Sequence, residues 1–474
     1  MRRSIELLLR RTLAAAALFL TAAPLSATTI LHAFNWRYAD VGARAAEIAE
    51  RGYDAVLVAP PLRSEGSAWW ARYQPQDYRV IDHPLGNSED FGAMVLALGR
   101  RGVATYADVV LNHMANEAAQ RSDLDFPGTR VLDIYARNAA QYARWRLFGD
   151  LGQNLFGAAD FNPARCISNY LDPVQVQNGR LCGGGADPGL PDLAATERVI
   201  AQQQTYLRAL KAIGVVGFRI DAAKHMPLAH LERVFTPDIL ADSFVFGEII
   251  TGGGVGNEEY RLFLAPYLAG TSHAAYDFPL HVALRRGFGF GGNLAELADV
   301  LARGQALAGA RAVTFTVTHD IPNNPGFRGQ LLDPVDETLA YAFVLGRGEG
   351  TVLLYSDNNE SGDNRWVNAW QRDDLTAMVR FHNAAEGSSL RWLSTSNCHL
   401  LFRRGGLGIV GINKCGNEVE ARFKAPQALR GDGVSYRDVL SSDTLTISRL
   451  DASVRLPPRN ARLWLRTSLA PPSR

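Results

Sequence analysis

One pattern recurs along the chain and leaves few folds open: a short apolar run ends abruptly in polar or charged residues, and helix-like sequence follows. The sharpest case is Gly217-Phe-Arg-Ile-Asp-Ala-Ala-Lys-His225, where an apolar strand turns into Arg219, Asp221, Lys224 and His225. Residues two apart on a strand share a face, so Arg219 and Asp221 point the same way. Burying such a pair is costly unless the charges compensate each other or do chemistry. An ion pair that merely closes a core is the plain alternative. The pattern returns at 103–113 with Asp108, Asn112 and His113, at 243–250 with Glu248, and at 312–320 with His319 and Asp320. Runs at 28–36, 52–60, 273–278 and 351–357 bring the candidate strands to eight, with helix-like stretches at 38–51, 88–101, 194–213 and 373–382. Strands and helices in alternation, with polar residues gathered at the strands' C-terminal ends, predict an α/β fold: a (β/α)8 TIM barrel with its site on that rim.

Two segments break the rhythm. Residues 114–197 accumulate Asp, Asn, Gly and Pro and far exceed a βα connection of roughly two to six residues, so they predict an inserted coil/β-rich subdomain after strand 3. From 386 to 474, short alternating runs with Gly-rich turns predict a C-terminal antiparallel β domain. The barrel then spans 28–113 and 198–385. Residues 1–27 read as a secretory signal peptide: Arg2, Arg3, Arg10 and Arg11 precede an apolar run, and Ala27 offers a small residue for cleavage. The run is shorter than the roughly 20 residues that span a bilayer. The expectation is a secreted protein, extracellular or periplasmic, with no membrane anchor after cleavage.

Export permits disulfides. Cys166, Cys182, Cys398 and Cys415 allow three connectivities, of which the two short-range pairs, 166 with 182 and 398 with 415, are the expected one. Zinc is the competing use of these cysteines, and the spacings do not support it. Loss of the leader removes four arginines and one glutamate and takes the formal charge from +1 to −2. A near-neutral chain lacks the polycationic character that a nucleic-acid partner would require.

The loop at 61–82 holds Trp69, Trp70 and Tyr73 among Gly, Ser and Arg. Loops lie at the surface, so adjacent tryptophans there suit a flat platform for a ligand such as a sugar ring. A plug for one end of the barrel is the alternative. The strand ends bring together Asp221, Glu248 and Asp320 with His113, His319 and Arg219. Glycoside hydrolysis needs such a set: one carboxylate to attack the anomeric carbon or guide water, and one carboxylic acid to protonate the leaving oxygen.

Asp108-Val-Val-Leu-Asn-His113, Leu190-Pro-Asp-Leu193, Gly217 to His225, Phe246-Gly-Glu248 and Phe315-Thr-Val-Thr-His-Asp320 together resemble the signature regions of the α-amylase family, glycoside hydrolase family 13. The resemblance covers essentially the whole mature chain. It implies endo-acting, retaining hydrolysis of internal α-1,4-glucosidic bonds in starch and related α-glucans. Asp221 would be the nucleophile, Glu248 the acid/base and Asp320 the stabilising carboxylate. Arg219 would orient Asp221, with His113, His319, Tyr73, Trp69 and Trp70 binding sugar and Lys224 and His225 on the leaving-group side. Asn112, Asp192 and the backbone carbonyl of His225 match calcium ligands, with carbonyls near Gln177 completing the shell. Thr318, where chloride-activated members have Asn, implies no chloride requirement. A maltogenic or transglycosylating enzyme of the same family is the alternative activity. A non-catalytic glucan-binding protein would have lost the carboxylates, and all three are present. The expected protein is a monomer.

Overall fold

The structure is a computed structural model, and it describes residues 29–431 and 433–468. The leader expected at 1–27 lies outside the described residues. Eight parallel strands close into a barrel: β1 (Thr29–Ala33), β2 (Ala55–Val58), β3 (Ala104–Val109), β4 (Val215–Ile220), β5 (Phe244–Gly247), β6 (Ala274–Tyr276), β7 (Ala312–Thr314) and β8 (Thr351–Ser356). Each strand pairs with its sequence neighbours, and β8 returns to β1. All eight correspond to runs picked out in the sequence, but they are shorter. Asn112 and His113 lie beyond β3 and His319 and Asp320 beyond β7, on the loops that cap the rim.

The barrel has two apolar layers. Inside it, Ile30, Leu57, Tyr106, Phe246, Tyr276 and Leu353 fill the lumen. Outside it, strand residues such as Leu31, Val56 and Ile220 pack on helices including Ser88–Gly99, Glu197–Ile213, Pro334–Arg347 and Asp373–Ala384. The helical stretch expected at 38–51 is two short helices, Tyr38–Ala43 and Ala45–Glu50. Gly217 shows why the strand before the site begins as it does. Its neighbour across the ladder is Tyr106, and a Cβ on Gly217 would sit 2.2 Å from the Tyr106 ring. Only glycine lets that ring fill the lumen beneath the rim.

The insert between β3 and Glu197–Ile213 is mostly coil, tied by isolated antiparallel bridges such as Phe126 with Phe156 and Phe161 with Leu193. It also carries three short helices that the sequence reading did not anticipate, Thr129–Arg137, Ala139–Trp145 and Pro173–Asn178. A disulfide joins Cys166 to Cys182 within it. The C-terminal part is antiparallel: β9 (Leu390–Thr395), β10 (His399–Arg404), β11 (Gly408–Asn413), β12 (Val419–Lys424), β13 (Ser435–Asp438), β14 (Thr444–Thr446), β15 (Asp451–Leu456) and β16 (Asn460–Arg466). Six of these form one sheet, while β12 and β15 pair separately. The second disulfide, Cys398 to Cys415, closes the mouth of the β10–β11 hairpin. Phe343, on the helix Pro334–Arg347, meets Phe402 of β10 edge to face, so the domain leans on the barrel's outer wall. Among the described residues, no helix is long and apolar enough to cross a membrane.

Candidate active site

Three neighbouring strands deliver the charge. Parallel register sets Asp108 of β3 beside Arg219 of β4, and Arg219 beside Phe246 of β5. The ladder runs one residue past each strand: Asp221 N–H donates to Val109 O and Glu248 N–H to Ile220 O, both at 3.0 Å. Asp221 and Glu248 therefore emerge side by side at the rim. Arg219 is fully buried below them. Its Nη1 donates to both oxygens of Asp108 at 2.8 and 2.9 Å and to Asp221 Oδ1 at 2.7 Å, while Nη2 is in ion-pair contact with Glu248 Oε1. The Tyr73 hydroxyl donates to Asp108 Oδ2 at 3.0 Å. Asp108 stood out in the sequence only as a charged strand end; the structure makes it the second anchor of the guanidinium.

The chain then turns sharply. Ala222 has φ 47° and ψ 35°, a left-handed conformation that costs an L-residue roughly 1–2 kcal/mol. The turn aims its N–H at Glu248 Oε2, 3.1 Å away.

Burial pushes Asp108 and Asp221 up to about 7 and also raises Glu248 and Asp320, against the downward pull of Arg219 on all four. One cation cannot hold four carboxylates gathered this closely, three of them buried, ionised at low cost. Asp108 and Asp221 share Nη1 of Arg219, which favours their charged forms. The direct contact with Arg219 is the counterweight that favours charge on Asp221 against its burial, and part of the cluster's charge is neutralised by protons as the pH falls below neutral. Burial lowers His113 to about 4 and His319 to about 3, so both rings are neutral hydrogen-bonding groups near pH 7.

Above the carboxylates lies a cleft of 590 Å³ lined by Trp69, Trp70, Tyr73, His113, His319 and Asp320 on one side and by Lys224, His225 and Glu259 on the other. Tyr73 stacks on His319, with ring centres 5.2 Å apart and planes 4° apart, and His319 stacks in turn on Phe34 at 4.7 Å. His113 Nε2–H donates to Tyr73 O at 3.0 Å and fixes the near wall. On the far wall, Lys224 Nζ donates to Glu259 Oε1 at 2.6 Å and to Ile250 O at 3.1 Å. His225 Nδ1–H donates to Val176 O of the insert at 3.1 Å. The sequence residues expected to bind substrate all line this cleft except Arg219, which lies beneath it. Sequence reasoning missed Glu259, at the start of the helical segment that runs on through Tyr260–Leu264, and Tyr170, which the insert contributes to the cleft wall.

The expected calcium ligands lie where insert meets barrel. Asn112 O accepts from Leu193 N–H at 2.9 Å, and a bridge joins His113 to Asp192. Among the described residues, no group of three or more His, Cys, Asp or Glu side chains is placed to hold a metal ion. The expected set has a single carboxylate, and amide and carbonyl oxygens make up the rest. Asp192 is 2% exposed, and burial pushes it up to about 7. Asn162 Nδ2 donates to it at 2.6 Å, and the pull of the Arg180 charge on it is smaller than that of this hydrogen bond. A buried carboxylate so poorly compensated, beside amide and carbonyl oxygens, fits a hard divalent cation.

A family model for the alpha amylase catalytic domain matches residues 46–243. An alpha-amylase from Aeromonas hydrophila is 50% identical over 446 residues, covering 93% of this chain and 96% of that protein. The chain belongs to the α-amylase family. More distant α-amylase relatives include one from Tribolium castaneum, 28% identical over 439 residues and 81% of each chain. The fold resembles that of a mutant of α-amylase I from Eisenia fetida solved with maltohexaose, with TM-score 0.75, 23% identity, and coverage of 92% of this chain and 97% of that one.

Proposed function

We propose that this α-amylase-family chain is an exported endo-acting α-amylase that hydrolyses internal α-1,4-glucosidic bonds of starch and related α-glucans with retention. The carrying observation is the single guanidinium of Arg219, which binds Asp221 and Glu248 through neighbouring nitrogens at the floor of an aromatic-walled cleft. Two carboxyl groups held on one planar group suit the separation of about 5–5.5 Å used for double displacement better than the 6.5–9.5 Å that admits an inverting water. Glu248 gives its proton to the glycosidic oxygen as Asp221 Oδ attacks C1, and the C1–O bond to the leaving chain breaks. Glu248, now a carboxylate, takes a proton from water. That water attacks C1 and frees Asp221. Asp320 holds the distorted ring through its hydroxyls, and the Ala222 N–H supports Glu248 when it carries charge. Tyr73 and His319 form the stacked floor for the ring at the cut, Trp69 and Trp70 carry the chain beyond it, and Lys224 and His225 meet the departing segment. Proton NMR during hydrolysis tests the reading. Newly formed reducing ends should be α-anomers before mutarotation, and β-anomers would overturn retention.

Asn112, Asp192 and the His225 carbonyl would hold calcium. When bound, it compensates the Asp192 charge and fastens the insert to the barrel, and it takes part in no bond change. Near-neutral charge supports a soluble glucan partner over nucleic acid or membrane, and a cleft built wholly from one chain supports a working monomer. The basic and apolar leader at 1–27 supports export to the periplasm or the medium. Thr318 presents a hydroxyl where an anion would need a stronger donor, so the activity is expected to be independent of chloride.

A further inference from the structure

The loop after β2 that carries Trp69 and Trp70 is closed by a buried charge that takes no part in the bond changes. Residues 64–68 form neither helix nor strand, and Trp69–Tyr73 is a five-residue 3₁₀ helix. Arg72, two residues after Trp70, is 2% exposed and reaches back across the loop. Its Nη2 donates to Glu65 O at 3.2 Å and to Gly66 O, and its Nη1 donates to Ser64 O at 3.5 Å. Gly66, at φ 88°, makes the turn that presents these carbonyls. No carboxylate among the described residues compensates the guanidinium, and burial pulls it down to about 10, so it is charged near neutral pH. A buried cation held by carbonyls alone becomes costly as soon as one of them leaves. The loop is therefore locked into the shape that keeps all three in reach.

The side chains of the loop depend on that lock unequally. Trp69 lies against Phe34 and His319, with ring centres 6.0 and 6.1 Å away. Tyr73 is held by its stack on His319 and its hydrogen bond to Asp108. Trp70 is 53% exposed, so little packing holds its indole, and the backbone beneath it sets where the ring points. We infer that Arg72 is a positioning residue for glucan binding, which fixes Trp70 at the cleft wall before substrate arrives by tying the end of the loop to the carbonyls of Ser64, Glu65 and Gly66. The inference rests on the glucanase reading above. Preorganisation of this kind reduces the freedom lost on binding and leaves Asp221 and Glu248 untouched, so it acts on KM and not on kcat.

The test is a double-mutant cycle on soluble starch, with Arg72→Met and Arg72→Lys each made alone and together with Trp70→Ala. Arg72→Met should raise KM about tenfold with kcat within about twofold of wild type, and Arg72→Lys, which keeps the charge but loses the planar fork, should raise KM about threefold. Beside Trp70→Ala, either replacement should raise KM by less than about twofold, because the ring it positions is gone. An unchanged KM, a rise of equal size with and without the indole, or a loss carried by kcat overturns the inference. Should Arg72→Met fail to fold, Arg72→Lys decides by the same cycle. A wild type without activity on starch would instead overturn the parent reading.

Discussion

The floor of the cleft and its insert-borne wall are built on different principles. On the floor, ladder register between β3, β4 and β5 sets Asp108, Arg219, Asp221 and Glu248, and each side chain is held by another charge. The wall is coil, held by a disulfide, isolated bridges and single contacts such as His225 to Val176 O. The floor can place reacting atoms to fractions of an ångström because moving one member disturbs a whole sheet. The wall shapes what binds, and it can loosen without dismantling the chemistry.

Perturbing each region separately is the way to break that contrast. The largest effect belongs to the floor: Glu248→Gln should lower kcat by roughly 10²- to 10⁴-fold with an unchanged thermal midpoint, and a normal rate in steady-state assays would remove its acid/base role. Arg219→Met should cost about 3–5 kcal/mol in denaturant unfolding, since three buried carboxylates lose their cation. A loss below about 1 kcal/mol would show that the guanidinium does not hold the floor. In the wall, Cys166→Ser with Cys182→Ser should cost about 2–4 kcal/mol and raise KM more than it lowers kcat. A fall in kcat with KM fixed would erase the contrast. Chelation should lower the thermal midpoint by several degrees, and calcium alone should restore it; an unchanged midpoint and activity would dismiss the metal.

The smallest effect concerns pH. Asp108 and Asp221 are raised from the usual carboxylate range to about 7, so the folded state binds more protons than the unfolded state between about pH 4 and 7. Stability attributable to them is therefore present at the acid end and is lost as pH rises through that window. Asp108→Asn should flatten the slope of unfolding free energy against pH there, and an unchanged slope would mean that the floor's carboxylates are fully ionised throughout.

The same contrast explains what the sequence could reveal. Continuous apolar runs with charged ends mark barrel strands because burial on both faces forces apolar residues everywhere except at the rim, so Asp221, Glu248 and Asp320 are visible in the sequence alone. Strand ends were read too long at His113 and Asp320, because a polar residue shows where burial stops but not where the ladder stops. Trp69 and Trp70 were legible as misfits in a polar loop. Glu259 was not, since its pairing with Lys224 spans 35 residues and leaves no periodic trace. The helix Thr129–Arg137 is hidden by its shortness, nine residues set in a segment otherwise rich in breakers. Metal ligation through amides and a carbonyl has almost no signature in residue identity.

Ala222 carries one more consequence. Its contact with Glu248 is made by a main-chain N–H, so exchanging the side chain leaves the donor in place. Substitution surveys that replace one side chain at a time will score this position by size and backbone fit, and will overlook the hydrogen bond it gives Glu248. Proline alone among the natural residues deletes the donor, and its ring also forbids the positive φ found there. Mutational tolerance at Ala222 would thus measure the turn, while the hydrogen bond itself passes unaltered through nearly every sequence change.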